Sequence, residues 1–209
     1  MTETHDQQVR RSWLNGRQLR GFALPQGRLG RLMGWVMGAG NLVEQRDVLQ
    51  ALNPRAGERI LEVGHGPGAL LELIIGSGAT AAGVDPSPVM CDMARRRLSM
   101  AIGDGRAEVK PGDAESVGHP DRCFDAVVSV NNLPMWSDLG RGLRELRRVL
   151  RPGGRLVVAW HGGRRPTRIA RSMALPDQVL EQVRLQMRDV FGAAERRDLD
   201  HVVVFLAAR

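Results

Sequence analysis

At 209 residues, 43% of them hydrophobic, the chain has enough material for one domain with its own core. A net charge of +7 raises the question of nucleic acid, yet Lys110 is the only lysine, so 29 of the 30 basic residues are arginine, as in GC-rich coding; without tyrosine, and with four Phe and four Trp, the chain also has few platforms for stacking unpaired bases. No apolar run nears the ~20 residues needed to span a bilayer, the start Met1-Thr2-Glu3-Thr4 shows no signal pattern, and Cys91 and Cys123 form neither a C-x-x-C pair nor a zinc set, so a cytoplasmic, metal-free protein with buried thiols is expected.

In chain order, residues 1–40 mix charge with scattered Gly and Pro and show no sustained periodicity. They are expected to form an arm or lid over a substrate, ahead of one domain spanning 41–209. Asn41 can cap a helix from Leu42 to about Leu52, whose Leu42, Val43, Val48, Leu49 and Leu52 share a face and which Pro54 and Gly57 close off. From Arg59 strands and helices alternate: strand Ile60–Val63, helix Ala69–Ile75, strand Thr80–Val84, helix Pro88–Met100, strand Ala107–Lys110, strand Phe124–Val130, helix Leu139–Leu150 and strand Arg155–Trp160. The strands are apolar without alternation, which is the pattern of a parallel sheet covered by helices on both faces. An amphipathic helix over Asp177–Phe191 and a closing strand pair within Asp198–Ala208, including Val202–Leu206, complete the chain.

The first strand runs straight into Gly64-His65-Gly66-Pro67-Gly68 and then a helix. Such a turn needs glycine for positive φ and for close approach of backbone N–H groups to a ligand. By itself it leaves two cofactor classes open, because Gly64, Gly66 and Ala69 also fit the G-x-G-x-x-G/A dinucleotide pattern, with Asp85 at a ribose-binding distance along the chain. An oxidoreductase using NAD would need a catalytic Tyr/Lys pair or its equivalent, and the chain has no tyrosine.

Further on come Gly83-Val84-Asp85-Pro86-Ser87, Gly112-Asp113-Ala114-Glu115, Phe124-Asp125-Ala126-Val127-Val128 and Leu150-Arg151-Pro152-Gly153-Gly154. With the glycine turn, and in this order, they resemble the small, single-domain class I S-adenosylmethionine (SAM)-dependent methyltransferases over roughly residues 42–160. The resemblance implies a Rossmann-like α/β fold: a mostly parallel seven-stranded sheet with an antiparallel last strand beside the fifth, and helices on both faces. It implies SAM as cofactor, with Gly64, His65, Gly66 and Gly68 under the methionine half and Glu62 toward its ammonium. Asp85 would take the ribose hydroxyls, Pro86, Ser87 and Met90 would line the adenosine pocket, and Gly112, Asp113 and Ala114 would meet the adenine. The segment Ser129-Val130-Asn131-Asn132-Leu133-Pro134-Met135-Trp136 would face the methyl group. It departs from the Asn/Asp-Pro-Pro-aromatic motif of enzymes that methylate amino groups of bases.

Asn131 is a candidate for cofactor or acceptor. Asn132, Trp136 and Trp160, with Trp35, Met37 and Met33 from the arm, are candidates for an acceptor pocket, and His65 and His161 are candidate general bases. The expectation is methyl transfer to a small molecule by in-line displacement. Alternatives are a nucleic-acid (RNA) methyltransferase, a module that binds SAM without consuming it, or an NAD-dependent oxidoreductase. Oligomeric state is left open, a homodimer included.

Overall fold

The computed structural model describes residues 11–18 and 42–209. Helix α1 (Leu42–Leu52) leads into β1 (Arg59–Val63), α2 (Ala69–Gly76), β2 (Thr80–Asp85), α3 (Pro88–Arg97), α4 (Ser99–Gly103), β3 (Ala107–Pro111) and β4 (Phe124–Val130). A 3-10 turn (Leu133–Met135) precedes α5 (Leu139–Val149), β5 (Leu150–His161), α6 (Arg168–Ser172), α7 (Asp177–Phe191), β6 (Glu195–Asp198) and β7 (Val202–Ala208). The strands form one seven-stranded sheet in the order β3-β2-β1-β4-β5-β7-β6. The first five are mutually parallel; β7 lies antiparallel against β5, and β6 against β7. This is the Rossmann-like sheet expected from the sequence.

Alternation along each strand builds two cores. Leu61, Val63, Val127, Leu156 and Val158 pack under α5 and α7. Ile60, Ala126, Val128, Val157 and Ala159 pack under α1, α2 and α3. Glu62 and His161 stand two residues beyond Ile60 and Ala159 on their strands, so they share the face covered by α1 to α3. All five parallel strands end at the same edge, and Glu62, Gly64, Asp85, Asp113, Asn131 and His161 gather there.

Several boundaries differ from expectation. The helix expected over Pro88–Met100 breaks at Leu98, where φ −98° and ψ 14° leave the helical region, and resumes as α4. β5 starts at Leu150, ahead of the expected Arg155. Leu150 pairs with Phe124 and the ladder slips before Ala126 meets Arg155, a register shift that absorbs Pro152-Gly153-Gly154. β6 is Glu-Arg-Arg-Asp, a charged edge strand without apolar pattern. Of the expected arm, only 11–18 is described, so its role as a lid, the Asn41 cap, Trp35, Met37 and Met33 lie outside the described residues.

Candidate active site

The three glycines of the turn differ in what surrounds them. Gly64 has φ +73°, and a Cβ there would stand 2.0 Å from Asn132 Nδ2. Gly68, at φ +81°, lies against α3, where an added Cβ would stand 3.0 Å from the Cβ of Ala94. Gly66, at φ +52°, faces open space. Two glycines therefore serve close packing, and the middle one leaves room over the turn where a ligand can approach the backbone.

Asp85, buried at the end of β2, accepts from Gly66 N at 3.0 Å through Oδ2 and from Ser87 N at 2.8 Å through Oδ1. One carboxylate thus fixes both the glycine turn and the entry into α3, where Ser87 caps the helix and Pro88 sits in its first turn. Each oxygen retains acceptor capacity for a ligand hydroxyl. Pro86 follows at the exposed rim, while Met90 is buried in α3. Asp113, after Gly112, turns its Oδ1 back to Glu115 N at 2.8 Å and Ser116 N at 3.1 Å, with Ala114 buried beside it.

Glu62 is the anomalous group. It is 3% exposed, its Oε2 has no partner among the described residues, and Leu71 N–H is the backbone donor to its carboxyl. Burial pushes its pKa well above the usual carboxylate range, and the nearby Asp85 charge pushes the same way. An orphaned buried acid under a glycine turn fits a cationic ligand group, because a positive charge would supply the missing partner and restore the carboxylate. SAM carries an ammonium and a sulfonium. A backbone cradle, this orphaned acid and Asp85 at the next strand end form a set that such a molecule fits.

The histidines separate clearly. His65 is turned into the protein: Nδ1 lies 2.7 Å from Gly66 O, Nε2 is 3.9 Å from the Cys91 sulfur, and a Cβ on Gly83 would stand 2.8 Å from its ring. Burial lowers its pKa, with the Asp85 charge opposing. This geometry packs the ring between β2 and α3 and gives no support to the expectation that His65 acts as a base. His161 ends β5, 3% exposed, with Nδ1 3.1 Å from Glu44 Oε1 and 3.0 Å from Oε2. Asn131, at the end of β4 with φ +54°, donates from Nδ2 to Glu44 Oε2 at 2.7 Å.

Of the expected acceptor pocket, the described members Asn132, Trp136 and Trp160 are held in internal contacts. Asn132 donates to Val63 O at 2.6 Å, while its Oδ1 accepts from Ser129 Oγ at 2.6 Å and Trp136 Nε1 at 2.9 Å. It is a strut between β1 and the loop after β4, with no capacity shown toward an acceptor. Trp136 packs on Gly142, and Trp160 donates from Nε1 to Met173 O at 3.0 Å; both indoles are 4% exposed and lie in the core under α5 and α7. Composition and spacing could not tell these walls from core, because an indole serves either purpose.

Two participants escaped the sequence reading. Glu44 is acidic in the first turn of α1, where a charge is ordinarily a solvated helix-end group, yet it is 2% exposed. Trp13 donates from its backbone N to Trp136 O at 3.0 Å and from Nε1 to Leu133 O at 2.7 Å, so residues 11–18 rest on the loop after β4. Within the irregular first 40 residues nothing sets this tryptophan apart. Among the described residues no group of His, Cys, Asp and Glu could hold a metal ion, and no helix is long and apolar enough to cross a membrane.

Comparison with known proteins agrees with this fold. A family model described as a methyltransferase domain matches residues 61–158. An uncharacterized methyltransferase of Bacillus subtilis, YdaC, is 30% identical over 61% of this chain and 69% of its own. A demethylmenaquinone methyltransferase of Clavibacter sepedonicus is 40% identical over 52% of this chain and 43% of its own. The chain thus spans less than half the length of that relative. Among solved structures, a putative SAM-dependent methyltransferase of Methanococcus maripaludis superposes with a TM-score of 0.70 at 17% identity, covering 86% of this chain and 93% of its own.

Proposed function

We propose that this chain, which belongs to the methyltransferase-domain family of SAM-dependent enzymes, transfers a methyl group from SAM to a small-molecule acceptor. The observation that carries the reading is Glu62: a buried carboxyl whose Oε2 has no partner among the described residues, beside a glycine turn left open at Gly66. SAM supplies a methyl group on a sulfonium, a leaving group already activated. The protein has then to align the acceptor with that carbon and keep water away. In this reading Gly64, Gly66 and Gly68 shape the backbone for the methionine half, and Glu62 takes its ammonium. Asp85 accepts from the ribose hydroxyls, with Pro86, Ser87 and Met90 beside the adenosine, and Gly112, Asp113 and Ala114 meet the adenine. Asn131 stands at the methyl-transfer edge. The described turn at 11–18 rests through Trp13 on the loop after β4, beside this edge. A cytoplasmic setting accords with two free cysteines.

A small acceptor is favoured over nucleic acid because much of the arginine charge is spent internally. Arg148 pairs with Glu145 and Asp121, Arg151 with Asp125, Arg155 with Glu58, Arg184 with Glu181, and Arg197 with Glu195. One relative bears the name demethylmenaquinone methyltransferase.

Titration calorimetry with S-adenosylhomocysteine, using NAD and NADH as controls, tests the cofactor. Micromolar binding to the homocysteine compound alone is expected. Asp85→Ala should weaken it ~10- to 100-fold, about 1.5–3 kcal/mol for lost hydrogen bonds to a ribose diol. No binding by protein shown to be folded would overturn the reading.

A further inference from the structure

The trio Glu44, His161 and Asn131 lies one strand beyond the glycine turn, drawn from α1, β5 and the end of β4. Burying a carboxylate at 2% exposure is costly unless it is paired, and here both partners come from the ends of the central strands. Glutamate only accepts, so the Asn131 amide must aim Nδ2 at Glu44; its Oδ1 then points away, buried and without a partner among the described residues. Asn131 holds φ +54°, in the left-handed region that asparagine tolerates better than most residues. The same logic applies to the imidazole. With Nδ1–H directed at Glu44, the Nε2 lone pair is left, and no described residue bonds it.

A second acid–histidine contact shows what mere fastening looks like in this protein. Asp47, one turn along α1 from Glu44, accepts from His201 N at 2.8 Å and lies 3.2 Å from its Nδ1. That carboxylate holds a loop backbone, and the partly exposed ring adds to the hold. His161 needs no such fastening. Its backbone is already in the ladder opposite Val202, so Glu44 acts on the ring alone.

We propose that Glu44 positions His161 as a general base that takes the proton from a weakly acidic hydroxyl, and that the acceptor is therefore a phenol or an enol. The proposal rests on the methyl-transfer reading above. In the step, the acceptor O–H proton passes to His161 Nε2. The acceptor oxygen forms its bond to the methyl carbon as the carbon–sulfur bond breaks, and the sulfonium's positive charge ends as the proton on the imidazole, beside the Glu44 carboxylate. A carboxylic acid would arrive already ionised and would be repelled by Glu44. A phenol or enol holds its proton near neutral pH and needs the base. His161 is the catalytic residue and Glu44 the positioning residue.

Three measurements on the full chain test this. Nitrogen-15 spectra of histidine-labelled protein should show His161 protonated on Nδ1 and bare on Nε2; the opposite tautomer overturns the proposal. Turnover of SAM should then be followed with phenol and with 4-nitrophenol at about pH 8, where the second is largely ionised. His161→Ala should lower kcat for phenol ~100- to 10,000-fold and for 4-nitrophenol less than ~10-fold, with S-adenosylhomocysteine affinity retained. Equal losses on both phenols overturn the base role, and turnover of neither phenol by the parent protein overturns the acceptor class. Glu44→Gln, which keeps the shape and one acceptor oxygen for the ring but loses the charge and puts an NH2 toward the Asn131 amide, should lower kcat for phenol about 10-fold with KM unchanged. A change confined to KM overturns the positioning role. If the parent protein fails to bind S-adenosylhomocysteine, the methyl-transfer reading itself falls, which separates that failure from the failure of this inference.

Discussion

The two edges of the sheet are built on opposite terms. At the edge where the parallel strands begin, most polar groups have found a partner, with His119 Nε2 the buried exception among the described residues. Arg155 donates to Leu52 O and Asn53 O, closing the end of α1, and grips both oxygens of Glu58. Asp125 takes Arg59 N and Arg151, while Arg209 donates to the carbonyls of Arg147, Arg148 and Leu150. A cavity of about 430 Å³ lies among these groups, but its charges face one another. At the edge where the strands end, Glu62 Oε2 and Asn131 Oδ1 are buried and lack partners among the described residues, beside a turn in which Gly64, Gly66 and Gly68 all hold positive φ. Satisfied polar groups hold a fold, whereas unsatisfied ones in a confined space give up stability that a ligand can restore.

The glycine turn offers the sharpest way to break this contrast, because adjacent glycines carry different constraints. Gly64→Ala puts a Cβ within 2.0 Å of Asn132 Nδ2 at positive φ, so strain and overlap add. A loss of about 4 kcal/mol in denaturant unfolding is expected. Gly66→Ala meets nothing within 4 Å and should cost only about 1 kcal/mol of stability. Its Cβ would nevertheless stand where the ligand approaches, so S-adenosylhomocysteine affinity should fall at least about 10-fold. Similar stability losses in the two variants would mean that the turn is uniform packing.

Arg155→Ala probes the other edge. It strands two helix-end carbonyls and leaves the Glu58 carboxylate, which the guanidinium holds below its usual range, without its partner. About 2–3 kcal/mol of stability should be lost. Ligand affinity should be unchanged in calorimetry, since no group at the cofactor edge is touched. The sign for Glu58 follows from linkage: its folded pKa is lowered, so its contribution is present above the unfolded value and is lost as pH falls through the folded one. The stability difference between parent and variant should therefore narrow on acidification.

What could be read ahead of the structure divides along the same line. The strands at the centre of the sheet are apolar on both faces, so their order and most of their limits follow from hydrophobic runs punctuated by Gly and Pro, and α7 was legible from its period. Residues whose role depends on partners distant in sequence were not legible. Glu44 meets Asn131 and His161 across intervals of 87 and 117 residues, and no local pattern marks it as buried. His65 sits in the most recognisable motif of the chain, yet Gly83 leaves a space beneath it and the ring turns inward. β6 has no apolar period because an edge strand with two charged faces needs none.

The smallest effect sought is also the one that joins stability to function. Glu62 has a folded pKa raised by burial above its unfolded value, so its neutral form is favoured in the fold. Stability from this group is fully present below the unfolded pKa and declines as pH rises through the window between the two values. Glu62→Gln removes the titration and keeps the shape. The variant should therefore be more stable than the parent at neutral pH, by about 1 kcal/mol, and show no such advantage in acid. The same substitution should weaken S-adenosylhomocysteine binding several-fold. In the parent, binding should release a proton, because the ligand ammonium favours the carboxylate; calorimetry in buffers of differing ionisation heat reads this directly, and the release should vanish in Glu62→Gln. A variant more stable than its parent yet weaker in binding would show that this edge trades folding energy for recognition. A variant less stable at neutral pH would instead make Glu62 an ordinary structural acid.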